Sequence, residues 1–392
     1  MKTRIIRSRY KCMSGAETGI RAAASTRGAV PPEPQIMRNN PSDITLELCH
    51  NTIYNLLRLM NESGYAMRSS YIGVEIGASK HQIALGDSGG NLLKIQAGKV
   101  VLEEGAEGIL AWMKQHIPAM IAKAQADGYD VKGIGIGFGG IVESESGRVM
   151  ASVQVAGWEN FGVRGWFEDT FKLPAQVLND TVAGGYGEYF CGVGQGARNL
   201  FYTNIGSGIG GTLIFEGHHF DGLGRGTSYF GHTYVPDWTG DKPGAFDKVE
   251  SLCSGFGLQR RLRREGHVPQ DSMLLDLCKG DRTHITGAMF GEAVHAGDRF
   301  ALEELDRYTR AYAVGLSNVI TLFSVDRVVI GGGVAKIGEA LLEPIRARVE
   351  EIVFFPNKGC YDIRLSALMD DAVLVGAVMA AAGRTQVLGA QQ

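Results

Sequence analysis

Three glycine-rich turns are the groups in this chain best suited to hold phosphate. Gly77-Ala78-Ser79-Lys80 follows the apolar run Tyr71 to Ile76, Gly206-Ser207-Gly208-Ile209-Gly210-Gly211 follows Leu200 to Ile205, and Gly331-Gly332-Gly333 follows Val328-Val329-Ile330. Glycine lets backbone N–H groups approach phosphate oxygens, and a hydroxyl such as Ser79 or an ammonium such as Lys80 adds donors and charge. Any one of them alone reads as a tight turn. Three, each after an apolar run, point to nucleotide phosphate. Asn179-Asp180 ends another apolar run and precedes Ala183-Gly184-Gly185. A carboxylate at the carboxyl end of a strand, at the mouth of a cleft, is placed for general-base work. The plainer alternative is a helix N-cap. Taken alone, His232 reads as a turn or core histidine and Glu250 as part of a solvated helix face.

Two nucleotide folds are excluded on local grounds. Gly135, Gly137 and Gly140, like Gly206, Gly208 and Gly211, fit G-x-G-x-x-G, but a dinucleotide fingerprint must open a helix. Thr212 to Gly217 reads as strand and turn, and Ile141-Val142 runs into the turn Ser146-Gly147. No G-x-x-x-x-G-K-[ST] occurs, which excludes a P-loop.

The turns need strands to aim them. Tyr71 to Ile76, His81 to Leu85 and Leu92 to Ile95 read as three strands, the last two joined by the hairpin turn Asp87-Ser88-Gly89-Gly90. Residues 105–127 read as an amphipathic helix interrupted by Pro118. Ile134 to Phe138 and Ala175 to Leu178 read as buried strands. Leu200 to Asn204 and Gly211 to Phe215 repeat the strand–turn–strand opening, followed by a helix near 301–323, a strand at Arg327 to Ile330 and a helix at Ile337 to Ile352. A hairpin that opens on a glycine turn twice, at 77 and 206, predicts two lobes of related topology facing one cleft.

Composition bounds the rest. The 55 glycines among 392 residues suit an enzyme with several tight, backbone-lined loops. The six cysteines form no C-x-x-C pair, which fits a reducing compartment, and no apolar run is long enough to span a membrane. Residues 1–40 hold eight basic and two acidic side chains while the whole chain carries −3, so the body is net negative and a poor nucleic-acid surface. The basic segment reads as a disordered tail or an upstream extension. It is followed by the linker Val30-Pro31-Pro32-Glu33-Pro34 and one helix near 44–62.

With these motifs in place, residues 71–386 resemble the ROK family (repressor, open reading frame, kinase), the sugar kinases and sugar-responsive repressors of the actin-like ATPase superfamily. Glu75 to Lys80 resembles the first phosphate loop and Gly135 to Val142, with Gly139, the sugar-side glycine strand. Val153 to Trp158 resembles the sugar-binding segment, with Gln154 where the family has Asn. Asn179-Asp180 falls on the catalytic motif, Gly206 to Gly211 on the second phosphate loop, and Tyr229, His232 and Glu250 on sugar-binding positions. Tyr229 replaces the usual Glu. Asn318 to Phe323 with Gly331 to Gly333 resembles the adenosine region, and Asp371 to Ala380 the closing helix.

The resemblance implies an α/β, two-lobed ribonuclease H-like or actin-like ATPase fold with a cleft between the lobes. It divides the chain into an extension at 1–70, a first lobe at 71–187 plus 371–386, and a second lobe at 188–370. It implies ATP-dependent phosphorylation of a hexose or related sugar, with Asp180 as general base and Glu75, Gly77, Ser79, Lys80, Gly206, Ser207, Gly208, Gly210, Gly331, Gly332 and Gly333 around ATP and Mg²⁺. Gly139, Gln154, Asn179, Tyr229, His232 and Glu250 would face the sugar. A cytoplasmic homodimer is expected. The family's cysteine zinc motif is absent, Gly240 to Lys248 standing in its place, so no zinc is expected. The alternatives are a sugar-responsive transcriptional regulator and a catalytically weakened sugar-binding protein.

Overall fold

The computed structural model describes residues 67–152, 155–225, 228–239 and 244–388. The basic tail, the helix expected at 44–62 and Gln154 lie outside the described residues. β1 (Arg68–Ile76) and β2 (Lys80–Asp87) form the first glycine-turn hairpin, and β3 (Leu92–Lys99) adds antiparallel to β2. Helix α1 (Gly105–Ala126) carries the chain back so that β4 (Tyr129–Phe138) lies parallel to β1. A small hairpin, β5 (Ile141–Glu143) and β6 (Arg148–Ala151), and helix α2 (Val163–Phe171) lead to β7 (Ala175–Asn179), parallel to β4. The first sheet has the order β3-β2-β1-β4-β7.

Helix α3 (Asp180–Cys191) leads to the second hairpin, β8 (Asn199–Ile205) and β9 (Ile209–Phe215), then β10 (His218–His219). The pair β11 (Tyr234–Pro236) and β12 (Phe246–Lys248) precedes short helices α4 (Val249–Cys253), α5 (Gly255–Leu262), α6 (Met273–Leu277) and α7 (Gly287–His295). The long helix α8 (Arg299–Phe323), β13 (Arg327–Gly331), α9 (Glu339–Ile352), β14 (Asp362–Leu365), α10 (Ala372–Ala381) and β15 (Gln386–Val387) complete the chain. The second sheet runs β14-β13-β8-β9-β10-β15. Both sheets place two parallel strands beside the first strand of an antiparallel hairpin, and each lobe buries its own apolar cluster. This is the two-lobed ribonuclease H-like fold.

Helix α1 runs through Pro118 without interruption. Its buried residues Ile109, Met113, Ile117, Met120 and Ala124 recur at helical spacing, and Pro118 sits on the exposed side, where the carbonyl it strands can reach water. Helix α2 was not legible from periodicity.

The glycine excess is only partly a matter of loops. A Cβ on Gly135, within β4, would lie 1.8 Å from the Ala377 carbonyl oxygen of α10, and one on Gly376 would lie 1.7 Å from the Ala183 oxygen of α3. Helix α10 therefore rests directly on β1, β4 and α3, backbone against backbone.

The chain passes between the sheets three times, at 192–198, 366–371 and 382–385. Two buried side chains tie these passages together. The Glu188 carboxylate accepts from Val193 N (2.9 Å), Ser366 Oγ (2.5 Å) and Leu368 N (2.9 Å). Tyr186 Oη accepts from Gln386 N and His219 N, both at 3.1 Å. The expected first-lobe segment 371–386 thus differs at its end: Gln386 pairs with His218 in the second sheet.

Candidate functional site

A cavity of about 390 Å³ opens where the carboxyl ends of β1, β4, β7 and β8 converge. Of the residues expected individually at ATP, Mg²⁺ or the sugar, every one within the described regions lines it except Gly331. Gly331 lies behind it, where a Cβ would meet Tyr202 Oη at 2.6 Å.

The first glycine turn closes with Gly77 N donating to Lys80 O at 3.0 Å. Glu75, at the end of β1, accepts from Gln82 Nε2 and lies 3.6 Å from Lys80 Nζ. Burial pushes the Glu75 carboxyl above its ordinary value, Lys80 opposes that rise, and the Asp370 charge adds to it.

Asn179 caps α3: its Oδ1 accepts from Thr181 N (2.9 Å) and Val182 N (3.4 Å), while its Nδ2 donates to Gly140 O (3.0 Å). The N-cap is therefore Asn179, which leaves Asp180 as the first helical residue. Much of the Asn179 side chain is committed to holding this junction. Asp180 sits deep in the cavity wall, with Oδ1 accepting from Thr181 N at 2.7 Å. A Cβ on Gly139 would approach Oδ2 at 3.4 Å. Loss of water raises the Asp180 carboxyl to about 6; the Thr181 amide opposes this rise and the Glu75 charge adds to it.

The second glycine turn is braced almost wholly by backbone. Gly206 N donates to Gly208 O (3.0 Å), Gly255 N to Gly206 O (2.8 Å), and Ile209 N to Glu250 Oε2 (2.8 Å). Glu250, expected to face the sugar, lines the cavity but also braces this turn. Asn204 Oδ1 accepts from Gly210 N (2.9 Å) and from Thr181 Oγ1 (3.2 Å), linking the second turn to the start of α3. Gly332 has φ +87°, and a Cβ there would strike the Ile205 backbone at 2.6 Å. Tyr229 and the exposed His232 border the cavity, with Tyr229 Oη donating to Arg225 O at 3.2 Å.

A second cavity of about 630 Å³ adjoins the first and shares Gly206, Ser207 and Gly333 with it. Its wall comes from Phe256 and Gln259 on α5, Gly287, Gly291, Glu292 and His295 on α7, and Val334, Lys336 and Ile337 after the triglycine turn. Sequence reading missed it. The available signals are the helix N-caps Ser254 and Thr286, each followed by glycine. Of Asn318 to Phe323, expected at the adenosine region, all but the buried Ile320 instead line a groove with Phe201, Leu213 and Phe230, which meets the polar cavity at Ser228 and Tyr229. Thr181, Asn204 and Asp370 are further cavity residues that no motif flagged. Among the described residues no three of His, Cys, Asp and Glu gather closely enough to hold a metal unaided, and no helix is long and apolar enough to cross a membrane.

The ROK family profile matches residues 71–384. A glucokinase from Thermotoga maritima is 28% identical over 307 residues, covering 78% of this chain and 95% of that protein. A xylose repressor from Caldicellulosiruptor bescii is 25% identical over 311 residues, covering 79% of this chain and 77% of that protein. Among solved structures, a ROK family glucokinase from Streptomyces griseus, in complex with glucose and AMPPNP, superposes with a TM-score of 0.68 at 29% identity, covering 80% of this chain and 99% of that one.

Proposed function

Because the chain belongs to the ROK family, we propose that it is an ATP-dependent kinase for a hexose or related sugar, transferring the γ-phosphate to a sugar hydroxyl. One observation carries the proposal. A carboxylate raised to about 6, with no cation bound to it, lies between two glycine turns in a cavity continuous with an apolar pocket.

Asp180 takes the proton of the attacking hydroxyl, and its raised proton affinity makes it a stronger base than an ordinary aspartate. The Asn179 cap and the Thr181 contact to Asn204 fix its position. Amides of the two turns, Ser79 and Lys80 bind the phosphates, while Gly332 and Gly333 lead into the pocket that takes the adenine. Gly139 leaves room for the sugar beside Asp180, and Asn179, Tyr229, His232 and Glu250 border that space.

The donor chemistry fits Mg²⁺: Glu75 presents hard carboxylate oxygens beside the first glycine turn, too few for a cage, so phosphates and water would supply the rest. When bound, Mg²⁺ neutralises charge on the phosphates. Lobe closure excludes water from the site. A cytoplasmic homodimer belongs to the same reading.

The test is coupled ATP consumption over a panel of sugars. Mg²⁺-dependent turnover of at least one sugar is expected. Absence of turnover with every sugar, together with specific DNA binding by the full chain, would favour the regulator, a class that the xylose repressor relative represents.

A further inference from the structure

The geometry points to Lys336 as a second phosphate-binding cation, stored on Asp370 and handed to the nucleotide. This rests on the kinase reading. Lys336 lies in the single 3₁₀ turn Val334–Ile337 directly after the triglycine segment, and it lines the apolar pocket. Its Nζ lies 2.7 Å from Asp370 Oδ2, and Asp370 lines the polar cavity. The ion pair therefore stands beside the passage where Gly206, Ser207 and Gly333 border both cavities. A molecule with an apolar base in one cavity and a chain of phosphates in the other must cross that passage.

The charge of the cavity favours such a group even beside Mg²⁺. Four carboxylates, Glu75, Asp180, Glu250 and Asp370, line the polar cavity. Among the described residues lining it, Lys80 is the one permanent cation, and it already sits 3.6 Å from Glu75. An arriving polyphosphate needs more positive charge than Lys80 supplies. Lys336 can provide it at little cost, because its side chain is 52% exposed and that of Asp370 62%, and a pair that open is held weakly. A phosphate chain with several oxygens is the stronger partner for an ammonium. Asp370 keeps the lysine pointed across the passage until that partner arrives.

The experiment is calorimetric titration of ATP and, separately, adenosine into the full chain without sugar, using the wild type, Lys336→Met, Lys336→Arg and Asp370→Asn. Lys336→Met should weaken ATP about tenfold and leave adenosine unchanged. Arginine should restore most of the loss, and Asp370→Asn should bind ATP as tightly as the wild type or more so. In turnover assays the methionine variant should raise the KM for ATP and leave that for sugar unchanged. ATP binding by Lys336→Met at wild-type strength would overturn the inference and leave the kinase reading intact. Equal weakening of adenosine would reduce Lys336 to pocket packing, and equal damage from Asp370→Asn would make the pair structural. A wild type that binds no nucleotide would overturn both readings.

Discussion

Two carboxylates, the half-buried Asp180 and the fully buried Glu304, show how the cleft differs from the scaffold around it. Asp180 is raised to about 6 by loss of water with no cation beside it to offset that. In the second lobe, burial would likewise raise Glu304, yet His267 and Arg261 bring it down to about 2. Arg261 Nε and Arg307 Nη1 each lie 2.8 Å from a Glu304 oxygen, and His267 Nε2 lies at 3.3 Å. The same chemical group is thus left uncompensated where a proton must move and fully compensated where two helices must stay together. The comparison implies that removing charge at Asp180 costs activity and spares stability, and that removing it at Glu304 does the reverse.

The largest effect should come from Asp180→Asn. Turnover should fall at least ~10²-fold, the scale of a lost general base, while sugar binding persists. A raised carboxyl binds its proton more tightly in the native than in the unfolded state, so its presence lowers stability as pH rises from the unfolded value of 3.8 towards 6. Above that window the asparagine variant should melt no lower than the wild type. A clear fall in melting temperature would break the comparison.

Glu304→Ala is the mirror experiment. It leaves Arg261 buried without its partner, and breaking such a pair costs about 3–5 kcal/mol. Chemical denaturation should report that loss, while the fraction still folded keeps its KM values. The wild-type Glu304 contribution should be full above pH 4.5 and fade as pH falls towards 2.

A smaller and sharper test is the pH profile. With a base near 6, kcat/KM should fall about tenfold per pH unit below that value and level off above it. Stopped assays from pH 5 to 8 would locate the break, and a kcat/KM that stays level down to pH 5 would deny Asp180 its raised proton affinity.

The mildest change is Tyr229→Glu at the rim. A carboxylate would accept from sugar hydroxyls more strongly than a phenol, a charged acceptor contributing about 1.5–3 kcal/mol against about 0.5–1.5 for a neutral one, and Tyr229 is 42% exposed, which reduces that gain. Its KM for glucose should drop a few-fold. A rise would identify the tyrosine as an adapted ligand.

Much of this arrangement was legible in the sequence, because turns and strand ends leave local marks. Gly77 to Lys80, Asn179-Asp180 and Gly206 to Gly211 each combine an apolar run with glycine or an acid, and all line one cavity. The apolar pocket left no such mark. Phe256, Gly287, Glu292 and His295 are ordinary residues on separate short helices, brought together only by packing. Glycine was legible in number but not in place. Gly135 falls in a run that reads as a strand and Gly376 in one that reads as a helix, and only the structure shows that their smallness seats α10 on β4 and α3.

That seating sets the order in which the molecule can be built. Gly73 and Gly135 form the face that α10 covers, yet α10 begins at Ala372, roughly 300 residues after Gly73, and closing so long a loop is entropically costly. As the chain leaves the ribosome, the first lobe's sheet waits uncovered while the whole second lobe is synthesised. Apart from the two-residue edge strand β15, the second lobe has its strands and helices contiguous from 199 to 365 and can form first. Folding of the first lobe is then a late, long-range event, and the open sheet face before it is the stage most exposed to aggregation.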